Sequence, residues 1–196
     1  PCVERNGADF LFDPDEYFKQ LMRLKEKYAG KIEVLIGVEE GLRNEPECKE
    51  SVRNRYAKLA ADYPFDYMIG STHCLEFTDP YYASPYWDNR SATEGLRVYF
   101  QAIRENAVYN SDFDSLGHLD YLVRYVPKRE ESSDAFSYRV SDYADIIDEI
   151  LKILVNKGKA LEVNTAGLKY GLGFAHPKQE ILIRYLELGG ELLTIG

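Results

Sequence analysis

Three residues with metal-ligand chemistry stand where hydrophobic runs stop. EVLIGVEEG (33–41) carries Glu39, MIGSTH (68–73) ends in His73, and DSLGHLD (114–120) carries His118 and Asp120. A fourth run, ALEVNTAG (160–167), carries Glu162 and Asn164. Glu, His and His form a ligand set that zinc, manganese or iron accepts. One histidine or glutamate at the end of an apolar run is more often a satisfied polar group. Three at equivalent places, 34 and 45 residues apart (73 − 39 and 118 − 73), bring the metal reading nearer to even with that alternative. Spacing alone does not prove a metal.

The elements that would position these residues alternate. Short apolar runs at 32–38, 67–71, 115–118, 160–164 and 192–196 read as strands. Amphipathic segments lie between them. DPDEYFKQLMRLKEKY offers Asp13 as N-cap, Pro14 at the first helical position and Glu16 to close a capping box, with Tyr17, Leu21, Leu24 and Tyr28 on one face. Leu96, Tyr99, Phe100 and Ile103 make a second stripe. A third helix is expected from an N-cap at Ser141 to Gly158, burying Tyr143, Ile146, Ile147, Ile150 and Leu154. HPKQEILIRYLELGG reads as a fourth, and 49–63 more weakly as another. Such alternation means a parallel sheet, doubly wound or closed as a barrel, with its functional side chains at the C-terminal strand ends. The proline-broken aromatic stretches 76–90 and 124–140 are candidate substrate walls.

Length and composition bound the function. The 196 residues suffice for one domain with a substantial core. A net charge of −9 argues against a general nucleic-acid surface, though bound metal ions can supply local positive charge. No apolar run approaches a membrane span, and no signal peptide is visible. Three cysteines, Cys2, Cys48 and Cys74, without a C-x-x-C pair, suggest free thiols in a reducing compartment, hence a cytoplasmic protein.

IGVEEGL, IGSTHCLE, DSLGHLDYLVRY and LEVNTAGLKYG, in this order and at these separations, resemble the PHP (polymerase and histidinol phosphatase) superfamily, most of all its histidinol-phosphatase branch. The helix-strand stretch 15–39 and the terminal GGELLTIG fit as well. The resemblance implies a distorted (β/α)7 barrel of the TIM type with two or three divalent metals (zinc, manganese or iron) at the C-terminal strand ends. It places the family's bridging glutamate on Glu39 and its histidines on His73 and His118, together one metal's protein ligand set. The implied activity is metal-dependent hydrolysis of a small phosphomonoester, L-histidinol phosphate foremost, in histidine biosynthesis. A non-catalytic PHP-type module, or a PHP phosphoesterase or nuclease of other specificity, is the alternative; the acidic charge and the fit of DSLGHLDYLVRY favour the small-molecule phosphatase.

The family's opening H-x-H, a following histidine and its closing S-D-A-H have no counterpart in this sequence. Residues 1–196 are therefore expected to be one incomplete barrel domain, open at both sheet edges and a poor catalyst alone. Arg124 and Lys169 could each bind a phosphate oxygen, with a solvated surface charge as the equal alternative. Asn164 either orients substrate or satisfies a loop turn. His176 reads as a loop residue rather than a ligand. Tyr86 and Trp87 either wall a pocket or pack beneath the long loop.

Overall fold

The structure, a computed structural model, describes residues 12–80, 85–127 and 138–196. Five strands, β1 (Gly37–Gly41), β2 (Tyr67–Ser71), β3 (Ser115–Leu116), β4 (Ala160–Val163) and β5 (Leu193–Ile195), form one sheet. Its order is β1-β2-β3-β4-β5 and every pairing is parallel. Among the described residues the order never reverses and shows no doubly wound switch point; strictly sequential parallel strands are the pattern of a barrel sector. The helices α1 (Pro14–Lys27), α2 (Lys49–Asp62), α3 (Ala92–Tyr109), α4 (Ala144–Lys157), α5 (Ala166–Lys169) and α6 (Gln179–Glu187) supply the connections.

The core lies between the sheet and α3, α4 and α6. Leu96, Tyr99, Phe100 and Ile103 of α3 and Ile146, Ile147, Ile150 and Leu154 of α4 are buried, as their spacing requires. Gly158, at φ +62°, ends α4 by donating its N–H to Leu154 and Val155 carbonyls. The N-cap expected at Ser141 is not formed: Val140–Tyr143 is a 3-10 turn and α4 starts at Ala144. Tyr143 packs its ring 5.2 Å from Phe100 and 5.9 Å from Tyr138, which fixes the chain in that tighter turn.

The first helix and strand depart further from expectation. Asp13 caps α1 by accepting from the Asp15 and Glu16 amides, but the Glu16 carboxylate takes a hydrogen bond from Gln20 rather than closing a box. A complete capping box stands instead at Ser91 and Glu94, opening α3. No residue of α1 is buried, although its expected face is anchored where the Tyr17 hydroxyl donates to the Gly37 carbonyl at 2.7 Å. The first strand, expected at 32–38, begins only at Gly37; Ile32 and Leu35 are 63% and 64% exposed. Asp66 sets this start, accepting the Ile36 N–H on its carboxylate and donating its own N–H to the Ile36 carbonyl, both at 2.7 Å. Glu39 therefore sits within the strand rather than after it.

Tyr86 and Trp87 are buried against α3, the Tyr86 hydroxyl donating to the Gly95 carbonyl at 2.6 Å, so they pack beneath the loop rather than wall a pocket. Segments 81–84 and 128–137 of the two expected substrate walls lie outside the described residues. Cys74 carries a buried free thiol, and Cys2 lies outside the described residues. Among the described residues no helix is long and apolar enough to cross a membrane.

Candidate metal centre

Strand alternation separates two adjacent glutamates. Glu40 points into the core, 1% exposed, where burial and then the nearby Asp112 and Asp114 push its carboxyl up to about 8. Glu39 points the other way, with its side chain half exposed. The register aligns Glu39 with Ile69 and Ile69 with Ser115. His73 follows β2 by two residues and His118 follows β3 by two, so both chains have just passed the level of Glu39 when they turn inward.

Two close packings hold those turns. Thr72, beside His73, is buried and accepts a hydrogen bond from Asn106 of α3 at 2.9 Å. Gly117, beside His118, lies against Ser71: a Cβ at Gly117 would meet the Ser71 Oγ at 2.2 Å. Only glycine lets β3 approach β2 there.

Glu39, His73 and His118 converge, and they are the group of three potential ligands found among the described residues. His73 Nε2 lies 3.1 Å from His118 Nε2; Glu39 Oε1 lies 3.3 Å from the former and 3.2 Å from the latter. Donors about 2.0–2.1 Å from a tetrahedral zinc are about 3.3 Å from one another, so the three atoms have the separations of such a ligand set. The protonation states agree. Burial pushes the Glu39 carboxyl up, but hydrogen bonds from His118 and His73 outweigh it and hold Glu39 well below the ordinary carboxylate range. Burial pushes the His118 imidazole down against the opposing pull of Glu39. An anionic carboxylate beside a neutral imidazole is what a divalent cation needs. Without one, two ring nitrogens at 3.1 Å satisfy each other only if one carries a hydrogen.

Tyr121 adjoins this cluster, its ring centroid 4.5 Å from His118 and 5.5 Å from His73. Its other neighbour is Arg124, whose guanidinium lies 4.4 Å from the Tyr121 ring, 4.6 Å from Tyr125 and 4.4 Å from Tyr170. One ring thus separates Arg124 from the histidines. Asn164 is used in its own turn, its Oδ1 accepting the Ala166 N–H at 3.0 Å, while its Nδ2 lies 3.4 Å from Glu162. Lys169 is exposed at the end of α5. His176 is fully buried, Nδ1 2.6 Å from Asp120 Oδ1, and is not one of the three. The tyrosines around Arg124 were not singled out by sequence; the signal was present in YLVRY, where Tyr121 and Tyr125 flank it.

Comparison with known proteins gives the class that this fold and centre define. The PHP domain family model matches residues 7–166, and the chain belongs to that family. Its relatives there are histidinol-phosphatases. The histidinol-phosphatase of Lactococcus lactis subsp. lactis is 31% identical over 195 residues, covering 97% of this chain and 66% of that protein. The probable histidinol-phosphatase of Clostridium acetobutylicum is 32% identical over 189 residues, covering 96% and 67%. A crystal structure of the L. lactis histidinol phosphate phosphatase, complexed with zinc, L-histidinol and phosphate, superposes with a TM-score of 0.80 at 29% identity, over 97% of this chain and 68% of that one. The putative histidinol phosphatase of Listeria monocytogenes, 18% identical with a TM-score of 0.76, shares the fold. The chain spans about two thirds of the length of these relatives.

Proposed function

We propose that this chain belongs to a metal-dependent phosphatase that hydrolyses L-histidinol phosphate to L-histidinol and phosphate, and that it works in the cytoplasm as an enzyme of histidine biosynthesis. The observation that carries the reading is the convergence, with zinc-ligand separations, of Glu39 on β1 with His73 and His118 just beyond the C-terminal ends of β2 and β3. Similarity to a phosphatase that binds zinc, L-histidinol and phosphate supports the substrate. Glu39, His73 and His118 would hold one divalent ion of the cluster of two or three implied for this family. Such ions, when bound, supply positive charge at the phosphoryl oxygens and lower the pKa of water.

The chain's own residues define the rest of the site. The Glu39 carboxylate balances the cation's charge. Arg124, packed against the Tyr121 and Tyr170 rings, presents a planar donor set suited to a phosphate oxygen. Asn164, just after β4, and Lys169, at the end of α5, are the further phosphate-side candidates, and Lys169 is the more exposed of the two. A phosphate-release assay on L-histidinol phosphate with added zinc or manganese, run on the full-length parent protein, tests the reading. Turnover should need the metal and fall at least about 100-fold in His73→Ala and His118→Ala, since each removes a ligand. Metal-independent turnover, or wild-type rates in both variants, contradicts it.

A further inference from the structure

His118 reaches the centre from an unusual backbone position. Its φ is +21°, a region that residues with side chains seldom occupy without support. β3 has ended at Leu116, and the last main-chain bond toward β2 is the Gly117 N–H to the Gly70 carbonyl at 3.0 Å. The next amide, that of His118, turns to the opposite neighbour. It donates to Oε2 of Glu162 at 2.7 Å in a buried setting. Glu162 is 4% exposed, and its other oxygen faces Asn164 Nδ2 at 3.4 Å.

The ring itself lacks the usual anchor. Metal-bound histidines almost always donate their second ring N–H to a carboxylate, carbonyl or water. His118 Nδ1 is buried with no hydrogen-bond partner among the described residues. Packing on Tyr121 restrains the ring plane but cannot set its position along the chain. Two main-chain bonds hold the residue: the grip from β4 on its N–H, and the Tyr121 N–H donating to its carbonyl at 2.8 Å within the same turn; of the two, only the grip ties His118 to another strand.

We propose that Glu162 is a positioning residue of the metal centre: its carboxylate holds the His118 main-chain N–H and thereby aims His118 Nε2 at the point shared with Glu39 and His73. This rests on the metal-site reading above. Reach, not charge, is the property required, because the contact is one acceptor on one amide. Glu162→Gln keeps both length and an acceptor and removes the charge. Glu162→Asp keeps the charge and loses the length of one methylene.

The test measures Zn2+ affinity by calorimetry for the wild type, Glu162→Gln, Glu162→Asp and His118→Ala. In parallel, hydrogen exchange of the His118 amide is followed in the metal-free proteins. Glu162→Gln should stay within about threefold of wild-type affinity with its amide protected, while Glu162→Asp should lose about 10-fold or more and exchange faster. Wild-type affinity or protection in Glu162→Asp overturns the positioning role, as does a Glu162→Gln affinity as weak as that of Glu162→Asp. Zinc binding indifferent to His118→Ala removes the metal reading and this role with it. Binding that needs His118 but ignores Glu162→Asp removes this role alone.

Discussion

At the scale of single residues, the loops beside His73 are tied by one buried ion pair. Arg43, just beyond β1, donates to both oxygens of Glu45 at 3.0 Å, and Glu45 also accepts the Phe77 N–H at 3.2 Å. Burial pushes the Glu45 carboxyl up, but Arg43 outweighs it and holds the carboxyl below its ordinary 4.5. A depressed folded value means that the pair's contribution is present above about pH 4.5 and is lost as pH falls through the folded value. Glu45→Gln is therefore expected to cost roughly 3 kcal/mol at pH 7 by removing one side of a buried pair. That is about 6–12 °C of melting temperature for a chain of this size. Thermal melts should show the gap to wild type narrowing below pH 4.5; a constant gap would mean that the pair does not titrate as described. The three candidate ligands could be picked out in sequence because each stands near the end of an apolar run. Glu162 and Tyr121 were not assigned site roles, because a backbone hydrogen bond and a ring packing depend on loop paths that residue type does not reveal.

At the scale of elements, the approach of β3 to β2 places His118. Gly117→Ala would set its Cβ 2.2 Å from the Ser71 Oγ and 3.1 Å from Ile69 Cγ2. Such overpacking costs about 1–3 kcal/mol, or about 2–12 °C of melting temperature, and should also weaken zinc binding by displacing His118. Adding Ser71→Ala removes the nearer atom and should recover most of both losses. Calorimetry of the single and double variants checks this; losses that simply add would show that the two residues do not meet. Periodicity located α3 and α4 well, because their apolar stripes face a real core. It misplaced β1, because a run of apolar residues at 32–36 looks the same whether it pairs or lies exposed beside Asp66. It also overextended β3, since the turn at His118 depends on its non-local bond to Glu162.

At the scale of the whole molecule, the two outer strands carry apolar surface. Ile195 of β5 is 82% exposed, and Leu35, just before β1, is 64% exposed. Among the described residues neither outer strand pairs on its far side. Unpaired apolar edges promote association. The 196-residue chain is expected to self-associate in light scattering at micromolar concentration, and Ile195→Lys with Leu35→Lys to shift it toward monomer. A monodisperse monomer without those changes would show that the edges are otherwise covered. The parallel sheet was legible from the alternation of runs and amphipathic segments, but its strictly sequential order was not, since the same alternation also fits a doubly wound sheet. Barrel curvature was not, since it depends on strand tilt and stagger rather than on residue pattern.

The central claim is that Glu39, His73 and His118 together hold a metal. Crystals grown with zinc and measured at the zinc absorption edge test it most directly. An anomalous peak is expected about 2.0–2.2 Å from Glu39 Oε1, His73 Nε2 and His118 Nε2. Saturating zinc with no peak among these three side chains, or a peak only at other residues, would contradict it.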